Sequence, residues 1–69
     1  SGEEVSVFTV RGEKIERFAR RTNFDQFDAV NRLRYIMKRM GISHELVRQG
    51  ALGDSIIRIG DSEFTFIEQ

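Results

Sequence analysis

Sixty-nine residues carry eleven Lys/Arg, eleven Asp/Glu and one His, with no cysteine and no proline, and their formal net charge is zero. A chain this short makes one domain at most. It buries only about 60% of its unfolded surface, which argues against a deep substrate pocket. Without cysteine, neither a disulfide nor a thiolate metal site is available, and this fits a reducing compartment.

No apolar run approaches the ~20 residues of a membrane-spanning helix, and no signal-peptide pattern opens the chain. The expectation is therefore a cytoplasmic domain that does not engage a membrane. Ser1-Gly2 reads as a remnant of tag cleavage and residues 3–69 as the domain.

The charge is unevenly spread. Residues 11–39 hold nine Lys/Arg against four Asp/Glu, a balance of +5. Residues 1–10 balance at −2 and residues 40–69 at −3, so the three segments sum to zero. A basic middle between acidic ends is either a solvated face or a surface for an anionic partner.

In chain order, "VSVFTV" (Val5 to Val10) is rich in β-branched residues and reads as a strand. "RGEK" is a glycine-containing turn. In "IERFARR", Ile15, Phe18 and Ala19 have helical spacing, but the short turn before them favours a hairpin return. The expectation is a strand over Ile15 to Phe18, with a helix as the alternative.

"TNFDQFDAVNRLRYIMKRMG" predicts a long helix. Asn23 or Asp25 would cap it, and Asp28, Lys38 and Arg39 suit its dipole. Gly41 would end it. At about 100° per residue, Val30, Leu33, Ile36, Met37 and Met40 fall in one apolar stripe that should face a sheet. The opposite side holds Arg32, Arg34, Lys38 and Arg39 around Tyr35. A tyrosine among basic side chains can stack on a base while they meet phosphates. The plainer reading is an exposed ring covered by arginine stems.

"ISHELVRQG" predicts a short second helix capped by Ser43, stapled by Ile42 and Val47, and ended by Gly50. His44 sits in its first turn, where a lone histidine is solvated. No His/Asp/Glu spacing supplies it with metal-ligand partners. "SIIRI" (Ser55 to Ile59) and "EFTFI" (Glu63 to Ile67) read as strands joined by the tight loop Gly60-Asp61-Ser62. The expected fold class is α+β. It is a small two-layer domain with a mixed or antiparallel sheet of three to four strands on two to three helices, ordered roughly β-β-α-α-β-β.

The triplet Gly-Asp-Ser occurs twice, at Gly53 and at Gly60. Such a triplet can hold a nucleophilic serine, but the chemistry needs a base and an orienting acid. No histidine follows Ser55 or Ser62, so the triplets read as turns around a strand. No P-loop and no Gly-x-Gly-x-x-Gly pattern is present. Asp25 and Asp28 are explained by the helix start rather than by acid–base work.

"GDSIIRIGDSEFTF" resembles the closing signature of the C-terminal (OCT) domain of the Obg, or CgtA, family of GTPases. Gly53, Asp54, Ser55, Ile57, Ile59, Glu63, Phe64 and Phe66 match that pattern, with Ser55 where threonine is commoner. "VFTVRGEKIERFARRTNF" is similar to the start of that domain through Val10, Gly12, Ile15, Glu16, Arg17 and Thr22. "DAVNRLRYIMKRMGI" is similar to its long helix through Ala29, Val30, Arg32, Leu33, Met40 and Gly41. "ELVRQGALGD" is similar to its second helix. The resemblance runs from Val5 to Ile67.

The resemblance implies a parent protein with a glycine-rich N-terminal domain, a central P-loop domain and this accessory domain. That parent would be a bacterial GTPase binding GTP and magnesium, active in large-subunit ribosome assembly and the stringent response. The present residues would hold no catalytic residue, nucleotide site, metal or cofactor. One expected role is a contact with the large ribosomal subunit or its RNA through Arg17, Arg20, Arg21, Arg32, Arg34, Tyr35, Lys38 and Arg39. The alternative is an intramolecular regulator, without nucleic-acid contact, docking on its own GTPase domain through Asp54, Asp61, Glu63 and Glu68. The isolated domain is expected to be a monomer.

Overall fold

A computed structural model describes residues 4–67. The pair Ser1-Gly2 and the acidic Glu68 lie outside the described residues. The element order is β1 (Val7–Val10), α1 (Glu13–Arg20), α2 (Phe27–Arg39), α3 (Ile42–Arg48), β2 (Ile56–Ile59) and β3 (Ser62–Thr65).

The three strands form one mixed sheet in the order β1-β2-β3. β1 runs parallel to β2 with Phe8 beside Ile57, and β3 runs antiparallel to β2 with Phe64 beside Ile57. Strand side chains alternate between faces. The inner face thus carries Phe8, Val10, Ile57, Ile59 and Phe64, all buried or half-buried. The outer face carries Val7, Thr9, Arg58 and Glu63, all exposed. Ile15, Ala19, Val30, Leu33, Met37 and Leu46 of the helices are buried with the inner face in one core. The expected small α+β domain of two layers is the fold observed.

One expected strand is a helix. Ile15 to Phe18 belongs to α1, the alternative reading, and the sheet has three strands, the lower of the expected three to four. A strand would set Ile15 and Arg17 on the same face. In the helix Ile15 and Ala19, four residues apart, are buried together while Arg17 and Arg20 stay exposed. Glu16 reaches back so that its carboxylate accepts the Gly12 N–H at 2.9 Å, closing the first turn. Glu13 and Glu16 in the first turn and Arg17 and Arg20 in the last also suit the helix dipole.

The helix starts differ from expectation too. Neither Asn23 nor Asp25 caps α2. Gln26 holds the cap position without a side-chain bond, and the Asn23 Oδ1 accepts the Asp25 N–H one turn earlier. At α3 the cap position falls to Gly41, not Ser43, which lies inside the helix. The reason is economy of chain. Gly41, at φ 82°, ends α2 and begins α3 at once, leaving no separate loop for Ser43 to cap. Ile42 packs on the core, whereas Val47 remains 40% exposed, so the expected staple is not what seats α3.

Gly50 ends α3 as expected. At φ 104° it lets its own N–H reach the Val47 carbonyl and the Ala51 N–H reach the Leu46 carbonyl. That pair of bonds is a Schellman motif, and it closes on the buried side chains of Leu46 and Ala51.

Candidate nucleic-acid interface

α2 decides which basic side chains are free. Its buried side comprises Val30, Leu33, Arg34 and Met37, while Ile36 is half-buried and Met40 is 40% exposed. The stripe is therefore rotated toward Arg34 relative to the sequence expectation. Arg32, Tyr35, Lys38 and Arg39 remain exposed.

Arg34 stands apart from the basic face on which it was expected. It is 7% exposed. Its Nε and Nη2 both donate to the Thr65 carbonyl, at 3.1 and 2.8 Å, and its Nη1 donates to Asn31 Oδ1 at 2.7 Å. The guanidinium lies 5.7 Å from the centroid of the Phe64 ring. Burial lowers its pKa from the ordinary arginine value. With its donors turned inward, Arg34 fastens α2 to β3 and offers little to an outside anion. Arg20, Arg21, Arg32 and Lys38 are exposed, and there a guanidinium or ammonium keeps its donors available.

Arg21 and Arg32 meet around a hollow of about 350 Å³ at the start of α2, lined also by Thr22, Asn23, Gln26 and Ala29 and by one acid, Asp28. On the exposed side of α2, Arg39 Nη1 donates to the Tyr35 hydroxyl at 3.0 Å, and its guanidinium lies 5.8 Å from the ring centroid. Tyr35 is still 53% exposed. The ring thus has arginine over it and open surface beside it.

Arg17 and Arg20 stand on the solvent side of α1, and Arg17 approaches Glu13 at 3.8 Å. Among the described residues, Arg20, Arg21, Arg32, Lys38 and Arg39 make no ion pair. No hydrogen bond among the described residues ties Arg17 or Arg20 to the basic side of α2.

Among the described residues, Asp54, Asp61 and Glu63 are spread along β2 and β3. Asp54 precedes β2, whereas Asp61 lies in the hairpin at its other end. Glu63 is taken by Arg58 at 2.7 Å.

Ser55 is fully buried. Its Oγ accepts the Leu52 N–H at 2.8 Å and lies 2.7 Å from the Ser6 hydroxyl. The Phe66 N–H bonds its carbonyl. This serine ties the entry of β2 to the segments leading into β1 and out of β3. His44, exposed on α3, stands nowhere in that network. Ser62 lies on β3 just after Gly60 and Asp61, and Gly60 holds φ 59° in the two-residue loop. The structural roles of Ser6 and Ser55 were not legible in sequence, because the two residues are 49 positions apart.

Substituting Ser55 by alanine is expected to cost about 1–2 kcal/mol, since the Leu52 N–H loses its acceptor. Urea denaturation of the two proteins checks this, and equal midpoints would contradict it.

Among the described residues, no cluster of three His, Asp or Glu could hold a metal, and no helix is long and apolar enough to cross a membrane.

Residues 2–66 match the family described as a domain of unknown function, DUF1967. Over 62 residues the chain is 44% identical to a GTPase Obg of Brevibacillus brevis, covering 90% of this chain and 15% of that protein. It is 40% identical over 63 residues to a GTPase Obg of Endomicrobium trichonymphae, covering 91% of this chain and 15% of that protein. It is 39% identical over 66 residues to a GTPase Obg of Moorella thermoacetica, covering 96% of this chain and 16% of that protein. The chain thus spans about one sixth of the length of these relatives. No solved structure matches it.

Proposed function

Because this chain belongs to the DUF1967 family, the C-terminal domain of Obg GTPases, we propose that it is an accessory domain that helps seat its parent GTPase on the large ribosomal subunit. The parent would bind GTP and magnesium through residues outside this chain and act in ribosome assembly and stress response in the cytoplasm. The observation that carries the proposal is the set of exposed cations, without an ion pair among the described residues, around Tyr35 and the Arg21–Arg32 hollow. Ribosomal RNA supplies the phosphates for Arg21, Arg32, Lys38 and Arg39, and a base can stack beside Tyr35. Arg17 and Arg20 add positive potential from α1.

The test is co-sedimentation of the domain with large ribosomal subunits over a salt series. Binding should fall steeply with salt as neutralised phosphates release counterions. The Arg21→Glu, Arg32→Glu double variant should keep the wild-type melting temperature, because both side chains are exposed. It should also flatten the log–log salt slope by about two, one for each lost phosphate contact. Wild-type binding by the folded double variant would remove this reading.

A further inference from the structure

The two edges of the sheet are treated differently. In the antiparallel pair, the Phe66 N–H bonds the Ser55 carbonyl opposite it. Hydrogen-bonded pairs alternate along the ladder. Thr65, opposite Ile56, therefore turns its carbonyl away from β2, and the Arg34 guanidinium covers it there. The β3 edge is guarded.

Among the described residues, the β1 edge has no such guard. The Ile56 N–H donates to the Ser6 carbonyl, and β1 runs parallel to β2. That register turns the backbone groups of Ser6, Phe8 and Val10 toward β2 and those of Val7 and Thr9 outward. Among the described residues, the Val7 and Thr9 backbone groups have no partner beyond the sheet. β1 is Val-Phe-Thr-Val, without charge, proline or bulge, which is the composition that invites strand pairing.

Along this edge runs a groove of about 300 Å³ between β1 and the α2–α3 junction. Phe8, Val10, Met40, Ile42 and Leu46 supply its apolar lining, and its one charged lining residue is Glu45, whose half-exposed carboxylate also meets Arg48 at 3.4 Å and accepts from the Gln49 amide at 2.9 Å. Met40 is 40% exposed there.

We propose that the β1 edge is a docking site for an extended segment of a partner protein. The segment adds as a fourth strand, with an apolar side chain in the groove and a basic one beside Glu45. Main-chain bonds to Val7 and Thr9 hold the strand, and the groove selects alternate side chains. A second copy of this domain fits the edge less well. A four-residue strand gives far less than the ~800 Å² per partner of a stable interface, and the two Glu45-lined grooves would face each other. This site is separate from the basic face, so either can fail without the other.

The probe is the capped heptapeptide Thr-Val-Thr-Val-Lys-Val-Thr, titrated into the isotope-labelled 69-residue domain by NMR. Shifts and slowed exchange at the Val7 and Thr9 amides, with shifts at the Met40 methyl, are the expected result. Thr9→Pro removes an outward N–H without touching the β2 ladder, and should weaken binding about tenfold. Glu45→Lys leaves β1 intact and should weaken the lysine peptide about two- to fivefold. That variant should also bring its affinity to or below that of a peptide with glutamate in place of lysine. Absence of shifts at Val7 and Thr9 overturns the proposal. So does a concentration-dependent dimer, seen by sedimentation without peptide, that protects the same amides.

Discussion

Ile57→Ala is expected to cost about 3 kcal/mol, within the usual range for emptying a buried isoleucine site. Ile57 is fully buried in the central strand, flanked by Phe8 on one side and Phe64 on the other. Because β2 holds both neighbouring strands, the cavity cannot collapse without disturbing the ladder. A domain of 69 residues has a total stability of roughly 3–10 kcal/mol. The loss is therefore a third or more of the whole, and the melting temperature should fall by about 15–20 °C. Calorimetry checks this. A fall under about 5 °C would mean that the helical layer relaxes into the space. Leu33→Ala, on the facing helix and equally buried, should behave alike.

Arg34→Ala is expected to cost about 2–3 kcal/mol, though an exposed helical arginine would cost almost nothing. The side chain makes two bonds to one carbonyl and one to Asn31, and its guanidinium lies over Phe64. Hydrogen bonds from a charged donor contribute about 1.5–3 kcal/mol in mutational series. Arg34→Lys keeps the charge but loses the planar fork, so it should recover only part of the loss. Urea denaturation of both variants gives the comparison. Because the donors face inward, Arg34→Lys should bind large subunits like the wild type, whereas the Arg21, Arg32 double variant should not. Weakened binding by the folded Arg34→Lys protein would return Arg34 to the contact surface.

The sequence determined the elements whose signals are local. β-branched runs made β1, β2 and β3, the apolar spacing of Val30, Leu33 and Met37 made α2, and Gly41 and Gly50 ended their helices at positive φ. The order of its motifs along Val5 to Ile67 also pointed to the family that residues 2–66 match.

Tertiary structure decided the rest. Ile15 to Phe18 carries both periods within a few residues, and burial of Ile15 and Ala19 against the sheet selects the helix. The caps followed the path of the chain, which spends Gly41 on two helices at once. Arg34 lies at the margin of the apolar stripe of α2, and a wheel cannot say whether a marginal arginine turns outward or inward. Thr65, 31 residues away, supplies a carbonyl on the free edge of β3, and that acceptor draws the guanidinium in. Ser55 shows the same dependence, since its partner Ser6 comes from the far end of the chain. Local sequence sets which groups can bond. Only the packed fold sets which ones meet, because a buried polar group settles wherever the chain brings it a partner.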